Sequence, residues 1–170
     1  MLFRSAGYLS DDRPVVRHKA IDFITTNDQF RKSDIALIQA AAKTPDVRLD
    51  VIQILVRLAA KGISVSEPLQ SYLRDHDANV RLAAANALSL LRDKSAKSSL
   101  TKLLATGSPA ERRAAAEALG RLQDASAVPA LLNIKSQSSD SPSDRVLDHS
   151  LAYALIEIGD AKAIRAAMQG

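Results

Sequence analysis

The chain contains no cysteine. That removes disulfides, thiolate metal ligands, a thiol nucleophile and covalent c-type haem attachment from this sequence. It leaves the compartment open. Tryptophan is absent and aromatic residues make up only 4% of the 170, too few for an aromatic ligand cage or a platform on which bases stack. No apolar run approaches the ~20 residues needed to span a bilayer. The start, Met1-Leu-Phe-Arg-Ser5, lacks the apolar core of a signal peptide. No stretch alternates apolar and polar residues between hairpin turns, so strands are not expected. A glycine-rich phosphate loop, a nucleophile elbow and a carboxylate pair in catalytic context are missing too. The expectation is a non-enzyme with no catalytic residue, no cofactor, no metal site and no membrane insertion by this chain.

What is present is a repeat. Asp77-Ala-Asn-Val-Arg-Leu-Ala-Ala-Ala-Asn-Ala-Leu and Ser108-Pro-Ala-Glu-Arg-Arg-Ala-Ala-Ala-Glu-Ala-Leu share one pattern. An earlier copy runs from Val47 to Leu58 and a later one from Asp144 to Asp160. Phe23-Ile24, Ile54-Leu55, Ala87-Leu88, Ala118-Leu119 and Ala154-Leu155 occupy one slot, at intervals of 31, 33, 31 and 36 residues. An arginine column, Arg17, Arg48, Arg81 and Arg112, runs beside it and ends where Asp148 stands in the last copy. Self-similarity at this period indicates a repeat architecture.

Each copy holds two helical patterns. Val80, Ala83, Ala84, Ala87, Leu88 and Leu91 fall on one face at helical spacing, and Val128, Leu131, Leu132 and Ile134 do so in a second helix. Asp77, Ser108 and Asp124 stand where N-caps are expected, and Pro129 lies in a first turn that tolerates its missing N–H. The patterns predict helix pairs over 14–26 with 33–43, 46–61 with 66–74, 77–92 with 96–106, 109–123 with 126–135, and 143–159 with 161–169. A single hairpin cannot bury its own apolar face, so neighbours must cover it. The fold class is therefore all-α, a right-handed α-solenoid of about five helical hairpins spanning 11–43, 44–75, 76–106, 107–136 and 142–170. Residues 6–170 form one repeat domain in this reading. Residues 1–5 are expected to be a non-native or disordered start, because Leu2-Phe3-Arg4-Ser5 is what the end of a common sequencing adapter encodes in frame. A protein that extends beyond both ends is expected, and the open apolar edge of the fifth repeat predicts self-association of this piece alone.

The net charge of +4 is mild, but its placement is uneven. The five second helices, with Arg31 and Lys32 just ahead of the first, hold nine basic residues and only two acids, Asp34 and Glu67. The concave side that second helices line in such folds is thus expected to be basic. Arg74, Lys97, Lys102, Lys135 and Lys162 are the candidate partner-binding residues. Arg17, Arg48, Arg81 and Arg112 are expected to tie adjacent repeats together, through acids such as Asp46 or Asp77. Ser136 to Asp144 is one polar, Ser-rich stretch, read as a solvated loop or a partner contact.

The units resemble HEAT repeats, in particular the short HEAT-like type of phycobilin lyases. The matching residues are Asp77-x-x-Val80-Arg81-x-x-Ala84, Glu117-Ala-Leu-Gly-x-Leu122-x-Asp124 and Ala127-Val-Pro-Ala-Leu-Leu132. From Val80 to Asp160 the chain also resembles the HEAT segment of multidomain proteins of planctomycetes and verrucomicrobia. Asp144-Arg-Val-Leu-Asp-His-Ser-Leu-Ala-Tyr-Ala-Leu-Ile-Glu-Ile-Gly-Asp160 is the main match. Those proteins join a propeller-type, membrane-bound dehydrogenase domain, a HEAT-like array and a c-type haem domain. Neither the propeller nor a Cys-x-x-Cys-His motif occurs here, so what this resemblance implies is a connecting or docking array. It implies an exported or periplasmic parent; without it the compartment would be cytoplasmic.

His149 follows Asp148 and precedes Tyr153 by one turn. Ser150 comes next, where iron-binding HEAT-like hydroxylases carry a glutamate, so a packed or interface histidine is the preferred reading. The functional expectation is a non-catalytic protein-interaction or interdomain scaffold, facing an acidic protein partner or a neighbouring domain of the same chain. Two alternatives stand beside it. One is nucleic-acid binding through the basic groove, which the modest charge and scarce aromatics oppose. The other is chromophore handling of the phycobilin-lyase kind.

Overall fold

A computed structural model describes residues 2–136 and 142–169 of the chain. Most of the Ser-rich stretch lies outside the described residues. Among those described, every regular element is helical. Two compact units divide the chain, Met1–Ala83 and Ala84–Gly170.

In the N-terminal unit, α1 (Leu2–Gly7) and a 3₁₀ turn over Tyr8–Ser10 pack on α2 (Pro14–Thr26) and α3 (Ile35–Ala41). α2 and α3 both pack on α4 (Pro45–Ala60), which in turn contacts α5 (Ser66–Tyr72). The sequence pattern assigned no helix to residues 2–10. That segment carries no repeat signature, yet it buries Leu9 completely and nearly all of Ala6.

The C-terminal unit takes in most of α6 (Ala78–Leu90), with α7 (Lys97–Thr106), α8 (Pro109–Leu122), α9 (Val128–Ser136), α10 (Pro142–Ile158) and α11 (Ala161–Gln169). α8 lies against both α7 and α10, while α9 touches α7, α10 and α11. First helices thus form one layer and second helices another, with Leu100, Leu104, Leu119 and Leu131 fully buried. Each such leucine contributes about 1.5–3 kcal/mol, so apolar burial outweighs the surface ion pairs described below.

Local chemistry explains where the helices start. Pro14, Pro45 and Pro109 open α2, α4 and α8, at the position where a missing N–H costs nothing. The Asp77 carboxylate accepts the backbone N–H groups of Asn79 and Val80 at 2.8 and 3.2 Å. Ser108 and Glu111 form a reciprocal capping box, with Glu111 accepting Ser108 N–H at 2.7 Å while only 2% exposed. Three second helices begin one or two residues later than the bounds expected, at Ile35, Lys97 and Val128. Residues 32–34, 94–96 and 125–127 are 3₁₀ turns instead, and in the last two Asp93 and Asp124 cap Ser95 and Ser126. α8 ends at Gln123 in the left-handed region (φ 51°) and Gly159 follows α10 with φ 68°.

A close crossing joins α8 to α10. A Cβ added at Gly120 would lie 2.7 Å from Ala154 Cα and 2.8 Å from Glu157 Oε2. Backbone therefore blocks a side chain here. Alanine gains about 1 kcal/mol of helix propensity over glycine, but overpacking costs typically 1–3 kcal/mol, and a backbone obstacle puts this site at the upper end. Gly120→Ala should destabilise the chain by about 1–2 kcal/mol in urea unfolding; a stabilised variant would show that the helices do not cross this closely.

Candidate interaction surface

The strict second helices of the two units differ in charge. α3 and α5 carry only Glu67, whereas α7, α9 and α11 carry Lys97, Lys102, Lys135, Lys162 and Arg165 and no acid. The expected basic bias is therefore confined to the C-terminal unit. Arg74 is exposed but belongs to the N-terminal unit.

The four lysines are not equivalent. Lys97 Nζ donates to Ser126 Oγ at 2.6 Å and lies 3.5 Å from Asp124 Oδ2. Asp124 also accepts from Ser126 N at 2.9 Å and Oγ at 2.5 Å. Ser126's hydroxyl, then its backbone N–H, with Lys97 adding less, hold the Asp124 carboxyl below its ordinary value. A depressed carboxyl loses its contribution as pH falls through the lowered value, so this link persists at neutral pH. Lys135 Nζ sits 2.6 Å from Asp148 Oδ2, the residue that interrupts the arginine column. Lys102 and Lys162 are exposed and make no ion pair among the described residues.

The arginine column performs one recurring task. Arg17 donates to the carbonyls of Asp11 and Asp12 at 3.0 and 3.4 Å, and Arg48 to that of Lys43 at 3.2 Å. Arg81 reaches Asp75 and His76 carbonyls at 2.6 and 2.9 Å. Arg112 reaches those of Gly107 and Ala105 at 3.1 and 2.9 Å. Each guanidinium thus satisfies carbonyls in the connection before its own helix, which a planar group with five donors suits.

Acids join the clamps of Arg17 and Arg48. Arg17 Nε is 3.3 Å from Asp50, and Arg48 Nε is 2.8 Å from Asp75, whose side chain is 11% exposed. The Arg48 contact is an ion pair without hydrogen-bond alignment, because Nε has no hydrogen-bond partner despite the short distance. The partners are not the Asp46 and Asp77 suggested by sequence: the Asp77 carboxylate is spent on its helix cap.

His149 and Tyr153 are exposed, with ring centroids 5.5 Å apart at 54°. Of the two expectations for His149, packed or at an interface, its exposure rules out the packed one. Together with Glu117, Arg121, Ser150, Ala154 and Glu157 they line a cleft of 240 Å³. A second cleft, of 310 Å³, lies between α3 and α5 and includes Lys32, Gln39 and Glu67. No group of three or more His, Asp or Glu side chains that could hold a metal occurs among the described residues. No described helix is long and apolar enough to cross a membrane.

Replacing Arg112 by Lys puts a single ammonium on a flexible stem in place of the planar fork that meets two carbonyls at 2.9 and 3.1 Å. Arg112→Lys should cost about 1 kcal/mol, whereas Arg13→Ala, which breaks an exposed pair with Asp11, should leave stability nearly unchanged. Urea unfolding of both variants measures the contrast.

No curated protein matches the chain. The PBS lyase HEAT-like repeat family matches residues 111–137, which cover most of α8 and α9. The HEAT repeats family matches residues 33–120, just over half of the sequence. This chain belongs to the HEAT repeat family.

Proposed function

We propose that the chain is a non-catalytic interaction array whose C-terminal unit receives an acidic protein segment on the second-helix layer. HEAT repeats generally mediate protein interaction and scaffolding. The observation that carries the reading is the acid-free set of α7, α9 and α11. Lys102 and Lys162 are its principal contacts in this proposal. Lys97 and Lys135 also contribute charge while bound to Asp124 and Asp148. Arg74, in the other unit, serves as a separate accessory contact. The resemblance of residues 144–160 to multidomain proteins favours a role as a connecting array, with the partner supplied by a neighbouring domain or a separate protein.

Nucleic acid is the weaker occupant. Phosphate tracking needs rows of available cations and gives steeply salt-dependent affinity. Here the column arginines donate to backbone carbonyls and two of the four lysines are paired. The chromophore-handling reading rests on repeat type alone.

Fluorescence anisotropy with a labelled polyglutamate peptide and a double-stranded DNA of similar charge tests the proposal. The peptide should bind at physiological salt, and Lys102→Glu/Lys162→Glu should weaken it at least about tenfold with helicity unchanged. Tight DNA binding that collapses between 50 and 200 mM salt would favour the nucleic-acid reading instead.

A further inference from the structure

The cleft beside His149 and Tyr153 lies in the first-helix layer, on the seam between α8 and α10. Tyr153 holds the slot that Asp22, Gln53, Asn86 and Glu117 fill in the earlier repeats. All five residues are exposed, four of them with another repeat following, so the slot is open by its place on the helix. The fifth copy alone puts an aromatic ring there, with the His149 ring centroid 5.5 Å away.

Both glutamates of the lining cross the seam. Glu117, on α8, accepts from the Ser150 hydroxyl of α10 at 3.4 Å. Glu157, on α10, places Oε2 2.8 Å from where a Cβ at Gly120 of α8 would stand. Neither carboxylate forms an ion pair among the described residues, although Arg121 lines the same cleft. Ser150 is only 7% exposed, and its hydroxyl accepts no hydrogen bond among the described residues. The lining is thus rich in acceptors, and two glutamates against one arginine give it an excess of negative charge.

These features select the guest. Glu117, His149 and Glu157 do not form a group that could hold a metal ion. At 240 Å³ the cleft is smaller than the ~300–1,000 Å³ of small-molecule pockets. It suits one cationic side chain, rich in donors and flat enough to lie on a ring. A guanidinium offers five donors in a plane and stacks on aromatic faces, whereas an ammonium has three donors and a tighter water shell. The rim is open, with Tyr153 57% exposed, so the rest of the guest can remain on a large partner.

We propose that this cleft is a docking site for an arginine side chain of a protein partner, held by Glu117 and Glu157 against the Tyr153 ring, with Ser150 accepting a further N–H. Arg121 opposes the charge of the guest and limits its affinity. The site uses the other helix layer from the acidic-partner surface, so either one can fail without the other.

Amide NMR spectra of the full chain, titrated with N-acetyl-arginine methylamide, are the direct test. Saturable shifts are expected around Glu117 in α8 and from His149 to Glu157 in α10. Glu117→Gln combined with Glu157→Gln should weaken binding at least about tenfold. Tyr153→Ala should weaken it, Tyr153→Phe should preserve it, and Arg121→Gln should tighten it. All four side chains are exposed, so the fold should persist, which the same spectra show. No saturable shift, shifts scattered over other acidic residues, or indifference to the glutamate pair would overturn the proposal. Stronger binding of N-acetyl-glutamate methylamide would overturn it as well, by making Arg121 and His149 the contacts of an anion. So would tighter binding of free L-arginine than of the blocked form, which would make the guest an amino acid and not a protein side chain.

Discussion

A helical hairpin of this kind cannot bury its own apolar face, and the rest of the structure depends on that constraint. In the C-terminal unit, α8 is closed by α7 on one side and α10 on the other, and every member of its apolar stripe from Ala114 to Leu122 is buried. Alanine and glycine do this work because they let helix backbones approach, as at Gly120 and Ala154. Large leucines then fill the space between the two layers. α11 has no buried residue, despite an apolar side formed by Ile164 and Met168. Burial is thus a property of position in the array as much as of residue type.

Polar groups follow the same logic in the connections. Carbonyls there are met by the arginine of the next helix, and helix starts are met by Asp or by Ser with Glu. These contacts contribute little individually beside a buried leucine, but they fix how each hairpin begins. They also consume charge. Lys97 and Lys135, which look like free cations along the chain, are drawn to Asp124 and Asp148. The cations left wholly to solvent in the second-helix layer are fewer than composition suggests.

Much of this was legible in the sequence, and what was not has physical causes. α2 begins and ends where the apolar period placed it, and the caps at Asp77, Ser108 and Asp124 lie where capping chemistry requires. Two second-helix starts were placed early because Asp93 and Asp124 cap a 3₁₀ turn and not the α-helix that follows it. α1 was missed because it is too short for periodicity to register. The arginine column was visible, but the partners its four members share are backbone carbonyls, which every residue has and no sequence singles out. Asp148 looked like a break in that column; only folding brings Lys135 to it. The basic bias of the second helices was read too broadly in extent, since α3 and α5 add no basic residue.

Hydrogen exchange followed by mass spectrometry on dilute protein tests most directly whether the next repeat supplies each helix's protection. Local opening is cheapest where buried apolar contact is least. The account predicts slowest exchange in α8, faster exchange in α10 and fastest in α11. Protection of α11 equal to that of α8 would contradict it, because α11, which has no buried residue, would then be as protected as a helix enclosed on both sides.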